Sequence, residues 1–213
     1  MTTKERIAKC AYRFFFKKGY NNTTYKDIAD ELGISVGNVS YHYKRKEDLL
    51  LGFYTSSADE IKRIFLLHED LHTDSIVDFI AMRFAFVYWM QQSPMMFRLY
   101  HESLLVDVIR DEYSRYNNAL LIEFASKEMK GIDARDVYMI GLSASGAEQE
   151  LMNYYRNRQN EVDFEYIIRY PFKTILLHLD FPKDKIEPTI QRGIDNGHKL
   201  YKYAEGYIKD FIG

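Results

Sequence analysis

The residues with the most evident reactive potential are His68-Glu69-Asp70-Leu71-His72. Their H-E-x-x-H order is that of zinc peptidases, which need both imidazoles on one helical turn and the intervening Glu as general base. Position argues against that chemistry. The pentapeptide falls where a long helix over 46–67 should end, beside the Thr73-Asp74-Ser75 start of the next. No third ligand follows in a helical motif, although His101 and Glu102 are available. A helix terminus also orients ligands poorly, and rigid orientation supplies much of catalysis. The chain has no glycine-rich phosphate loop and no nucleophile elbow. None of its six histidines stands in a defensible arrangement with Ser or with the single Cys10. The expectation is a non-enzyme with no catalytic residue, no cofactor and no metal, metal sensing or hydrolysis through His68 and His72 being the remote alternative. Cys10 lies on an apolar helix face and is expected to be a buried, inert thiol.

Composition and spacing say what holds these residues. Apolar residues make up 46% of the 213 and charged residues 28%, the balance of a globular chain. Pro (4) and Gly (11) are scarce while apolar residues recur at helical spacing, which predicts an all-α fold. Ile7, Cys10, Ala11 and Phe14, widened by Phe15, form the stripe of a first helix, closed by a left-handed Gly19. Thr24 caps a second helix with Asp27 three residues on, its inner face being Tyr25, Ile28, Ala29 and Leu32. Gly33 stops it, Ser35 caps a third, and Val39 and Tyr43 should point inward. Two short helices about Gly33-Ile34-Ser35 form a helix-turn-helix arrangement. Longer helices are expected over 46–67, from Thr73 to before Pro94, and over 94–110, 112–129, 134–159 and 164–179. After Pro182, apolar positions 186, 190, 194, 197, 201, 204, 208 and 211 form a narrow seam for another helix. Pro188, Gly193, Gly197 and Gly206 predict a break or bend in it.

Charge is unevenly placed. Residues 1–50 hold ten Lys and Arg against six Asp and Glu, whereas the rest holds nineteen against twenty-five. A basic head on an acidic body suits a chain in which only the head meets phosphate. No stretch approaches the ~20 apolar residues of a membrane span, and no signal-peptide core opens the chain. No membrane association and a cytoplasmic location are therefore expected.

Residues 23–49, TTYKDIADELGISVGNVSYHYKRKEDL, resemble the N-terminal signature of the TetR family of bacterial repressors. Thr23-Thr24, Ile28-Ala29, Gly33-Ile34-Ser35, Gly37, His42 in an aromatic cluster and Lys46-Glu47-Asp48-Leu49 carry the likeness. Ser40 and Tyr43 depart from the commoner Tyr and Phe, so base readout is expected to differ from that of most members. The resemblance implies a three-helix DNA-binding domain over 1–48 and a larger helical regulatory and dimerisation domain over 49–213. It also implies that residues 35–42 form a recognition helix whose N-terminal half, from Ser35, enters the major groove of operator DNA. Lys26, Val36, Gly37, Asn38 and Ser40 are the candidate base contacts, and Thr24, Tyr25, Tyr41, His42 and Lys46 the candidate phosphate contacts.

The same resemblance implies a homodimer on a palindromic operator and a body that senses a small molecule. Candidate interface residues are Gly141, Ser143, Ala144, Ser145, Gly146 and Ala147, with Phe164, Ile167, Ile168, Phe172, Ile175, Leu176 and Leu179. The candidate lining for an apolar or aromatic effector is Tyr88, Trp89, Met90, Met95, Met96, Phe97, Tyr100, Met139, Met152 and Tyr155, with plain core packing the alternative and the favoured reading for each of them. Glu148 or Glu150 could pair with a cationic effector, an exposed carboxylate being the favoured reading of each. A body that binds a protein co-regulator is the alternative, and activation instead of repression stays open.

Overall fold

A computed structural model describes residues 1–128 and 131–212, side chains at 128 and 207–212 excepted. Among the described residues every regular element is helical. The head contains α1 (Thr3–Lys18), α2 (Tyr25–Leu32) and α3 (Val36–His42). The body contains α4 (Lys46–Leu67), a 3-10 turn (Glu69–Leu71), α5 (Ser75–Gln91), α6 (Pro94–Leu104), α7 (Asp107–Glu128), α8 (Ala134–Arg156), α9 (Phe164–His178) and α10 (Lys183–Ile212). None of the described helices is long and apolar enough to cross a membrane.

The head forms as its spacing predicts. Ile7, Cys10, Ala11 and Phe15 are buried, while Phe14 packs only partly against them. Burial raises the Cys10 thiol above its ordinary pKa. Gly33 is left-handed at φ 64° and ψ 35°, as expected. Gly19 has a positive φ of 92° with an extended ψ of 159°, so it ends α1 without the left-handed cap. Its other constraint is tertiary: a Cβ there would sit 2.8 Å from Glu102 Oε1 on α6. The first turns of α4 belong to the head core as much as to the body. Phe53 meets Tyr12 and Phe16 of α1 edge-on, with ring centroids 5.5 and 5.4 Å apart.

In the body α5 is apolar almost all round, as a fully surrounded helix must be. The expected helix over 94–110 is instead two, parted at Leu105-Val106. Ser103 Oγ donates to Tyr100 O at 2.6 Å and so accepts from Tyr54 Oη at 2.7 Å, and Val106 N–H turns back to Ser103 O. This redirects the chain so that Ile109 is buried while Leu105 stays in solvent. With no Gly or Pro at the junction, local sequence carries no signal for it. In the last segment α10 runs on without a break. Its seam of Ile186, Ile190, Ile194, Gly197 and Ala204 is buried, and Tyr201 partly so. Positions 208 and 211 lie outside the described side chains. Gly193 and Gly197 are contact windows: a Cβ on Gly193 would overlap Ile80, and one on Gly197 would fall 2.6 Å from Phe84 Cδ1 and 3.0 Å from Ala81 O. Pro188 is tolerated in the second turn, where its missing N–H would have met the first turn.

Gly197→Ala should therefore cost about 1–3 kcal/mol by overpacking α10 on α5. Gly206→Ala, with nothing within 4 Å, should be neutral or slightly stabilising. Urea unfolding of both variants checks this, and equal effects would contradict the close approach.

Candidate nucleic-acid interface and body cavities

The helix-turn-helix is held by local bonds that leave one face free. Thr24 and Asp27 form a reciprocal capping box, with Asp27 N–H to Thr24 Oγ1 at 3.2 Å and Thr24 N–H to Asp27 Oδ2 at 2.7 Å. Bonding from Lys18, whose Nζ is 2.6 Å away, and from Thr24 holds the Asp27 carboxyl down to about 2. Ser35 Oγ accepts from Asn38 N–H, and Ile34 N–H closes the turn onto Ala29 O. Val39 is buried, and Tyr43 takes its inward position with its hydroxyl donating to Lys4 O at 3.5 Å.

The candidate contacts separate into two groups. Lys26, Val36, Gly37, Asn38 and Tyr41 are exposed, Val36 at 45% and Tyr41 at 74%, large values for such side chains. Ser40 and His42 are half-buried beside them, and the Ser40 hydroxyl donates back to Val36 O at 3.0 Å. The Tyr41 and His42 rings meet edge-on at 5.2 Å.

Three of the candidate phosphate contacts also bond within the head. Thr24 Oγ1 donates to Asp27 at 2.6 Å, and Tyr25 Oη donates to Tyr43 O at 2.7 Å. Lys46 Nζ donates to Tyr20 O at 3.0 Å and Thr23 O at 3.2 Å, and lies 4.1 Å from the Tyr20 ring centroid. Burial lowers the Lys46 pKa. Lys46 thus ties the α1–α2 connection to α4. Lys44, which sequence reasoning passed over, is exposed with its Nζ 5.7 Å from the Tyr41 ring centroid. Its signal was its place directly after the aromatic cluster.

The body differs more from expectation. A largely apolar cavity lies between α4, α5 and α7, with a volume of about 50 Å³. Tyr54, Ala58, Met82, Phe86, Tyr116 and Leu120 form much of its wall. None of the ten proposed effector residues lines it. Trp89, Met90, Met96, Phe97, Tyr100, Met152 and Tyr155 are buried core, Tyr88 stacks on Phe84, and Met95 and Met139 are exposed. Aromatic and Met-rich stretches serve packing and pockets alike, so residue type did not distinguish them.

Glu148 does not await a cation. It is buried against Arg83 of α5 at 2.5 Å and accepts from Tyr100 Oη at 3.1 Å and Tyr113 Oη at 3.2 Å. Arg83 also donates to Tyr113 Oη. Desolvation disfavours the charged guanidinium, but Glu148 more than reverses this and raises the Arg83 pKa. Glu150 is exposed. Asn117, 7% exposed, reaches the cavity wall with an Nδ2 that has no hydrogen-bond partner.

The proposed interface residues also divide. Phe164, Ile167, Ile168, Phe172, Ile175, Leu176 and Leu179 are buried within the protomer, as are Gly141, Ala144 and Ser145. A Cβ on Gly141 would overlap the Asn118 amide, so the small residues there let α8 approach α7. Ser143 and Gly146 are exposed, and Ala147 is half-buried. The outward face of α8 and α9 instead shows Tyr138, Met139, Leu142, Tyr154, Tyr166, Tyr170 and Leu177, each at least 39% exposed.

His68 and His72 do not share a helical turn. His68 follows α4 and stacks on Tyr203 at 3.7 Å, whereas His72 follows the 3-10 turn and bonds Phe65 O at 2.9 Å. Among the described residues no group of three His, Cys, Asp or Glu is placed to hold a metal ion.

A basic head presenting one short solvent-facing helix, carried on a helical body, defines a helix-turn-helix DNA-binding regulator. Residues 7–52 match the model of the bacterial regulatory proteins, tetR family, so the likeness to that family lies in the head. It is 44% identical to the uncharacterised HTH-type transcriptional regulator YerO of Bacillus subtilis (strain 168) over 72 residues. That match covers 32% of this chain and 24% of the relative, so the chain spans about a quarter of that relative's length. The whole-chain fold is shared with the TetR family protein CprB from S. coelicolor A3(2), at a TM-score of 0.55 and 17% identity over 92% of this chain and 98% of that one. It is shared also with a gamma-butyrolactone receptor (ArpA-like protein), at a TM-score of 0.52 and 16% identity over 92% and 97% of the two chains.

Lys46→Ala should lower stability by about 1–3 kcal/mol, since it frees two part-buried carbonyls from a charged donor. Lys44→Ala should change it by less than about 0.5 kcal/mol. Equal losses in urea unfolding would contradict the assigned tie.

Proposed function

We propose that this chain is a homodimeric transcriptional repressor that binds a palindromic operator through α3 and is released by a small apolar or aromatic effector. The observation that carries the reading is the exposure of Val36, Asn38 and Tyr41 on a head whose other large apolar residues, Met1 apart, are packed. In this reading Val36 covers a thymine methyl, Asn38 pairs adenine, and Lys26 donates to guanine. Gly37 admits close approach and Ser40 reads by its acceptor. Tyr41, His42 and Lys44 meet phosphate, and Thr24, Tyr25, Ser35 and Lys46 hold the helices in register.

The outward apolar side chains of α8 and α9 support self-association, because one short head buries too little area for useful specificity. The cavity between α4, α5 and α7 is the effector site, with Asn117 as donor to an acceptor on the ligand. At about 50 Å³ it is far below the roughly 300–1,000 Å³ of ordinary ligand sites. Entry of an effector therefore has to part α4 from α7, and α4 begins in the head. The receptor role of one solved relative for a gamma-butyrolactone supports a small-molecule effector over a protein co-regulator.

Selection from a randomised duplex pool, followed by anisotropy across a salt series, tests the reading. It should enrich a palindrome bound by two or four chains. Lys44→Ala should reduce the salt slope by about one, Lys46→Ala should leave it unchanged, and Lys26→Ala should relax the preference for guanine at one position. A pool that shows no enrichment above non-specific binding overturns the proposal.

A further inference from the structure

A second cleft, distinct from the effector cavity, lies where α5 ends and α6 passes the end of α8, with a volume of about 450 Å³. Its chemistry is different. Arg98 of α6 and Arg156 at the end of α8 both line it, with Gln159 beside them. Phe97 and Leu105 give it an apolar wall, Leu105 being 82% exposed. His101 contributes a ring that is 8% exposed and whose Nε2 has no hydrogen-bond partner. Burial, then the neighbouring Arg156, pushes the His101 pKa down to about 4, so the ring is neutral at pH 7 and adds no charge.

The one carboxylate of the cleft, Glu102, faces the head. It accepts Asn21 N–H at 3.1 Å and lies 3.9 Å from Arg98 Nε. Arg98 in turn donates to Phe16 O at 3.0 Å, at the end of α1. Arg156 is exposed at the rim and donates to Asn153 Oδ1 at 3.2 Å. Two forked cations, an amide and an unpartnered imidazole nitrogen beside an apolar wall match a carboxylate on an apolar body. A bare phosphate would use the cations and leave the wall empty.

We infer that this cleft binds a small organic monocarboxylate, its charge between Arg98 and Arg156 and its apolar part on Phe97 and Leu105. The consequence for the head follows from Arg98. A carboxylate drawing on that guanidinium competes with Phe16 O and weakens the grip of α6 on α1. The binding step stands without the operator reading; only its consequence for DNA rests on that reading.

The test is calorimetric titration of the full chain with benzoate, hexanoate and inorganic phosphate, alongside NMR of the His101 ring. Both carboxylates should saturate at millimolar concentration or below, displace the His101 resonances and bind more tightly than phosphate. Arg156→Gln, on an exposed side chain, should keep the helical circular dichroism and weaken benzoate about tenfold or more. Asn117→Leu, in the other cavity, should leave benzoate affinity within about twofold. Absence of saturable carboxylate binding overturns the proposal, and so does phosphate binding as tightly as benzoate. An unmoved His101, or an affinity indifferent to Arg156→Gln but lost in Asn117→Leu, overturns it as well.

Discussion

The body is organised around a guanidinium and a carboxylate that have both left water. The Arg83 and Glu148 side chains are 6% and 4% exposed, and taking each ion out of solvent costs several kcal/mol. That cost is offset only if the helices stand in one register. Arg83 comes from α5 and Glu148 from α8, while Tyr100 of α6 and Tyr113 of α7 bring their hydroxyls to the pair. Four helices are fixed by one polar cluster within the core.

The cluster also stands between the features that matter for function. Arg83 and Tyr113 form part of the wall of the apolar cavity. Tyr100 lies on α6, whose Arg98 and Glu102 hold the end of α1 and the turn after it. A shift of α7 at the cavity therefore has a contiguous physical route to the head, through hydroxyl, carboxylate and guanidinium, without passing through α4. On the far side α5 is clamped by α10, where Gly193 and Gly197 bring backbone against Ile80 and Phe84. The route thus runs along helices backed by close packing, which transmits displacement better than it absorbs it.

The legible parts of the chain were those decided locally. Thr24 with Asp27, Gly33 and Ser35 each announce a cap or turn within three residues, and the structure has each where spacing put it. The exposed face of α3 was equally readable, because Val39 alone of its apolar residues had a core to enter. What could not be read was decided by partners distant in sequence. Lys46 looks like any cation after an aromatic cluster until α4 brings it to the carbonyls of Tyr20 and Thr23. Gly193 and Gly197 look like helix breakers until α5 lies against them. Phe164, Ile168 and Phe172 have the composition of an interface and the position of a core, and only the packing of α9 decides between these. Glu148 looked free because its cation lies 65 residues away.

The claim that this buried pair organises the body is tested most directly by a double-mutant cycle in urea unfolding. Arg83→Met and Glu148→Leu should each cost about 3–5 kcal/mol, because each leaves the other charge buried alone. The double variant, apolar at both positions, should recover much of that loss, with a coupling energy of about 2 kcal/mol or more. Losses that simply add would contradict the account, for they would mean that the two groups are held by their separate surroundings and not by each other.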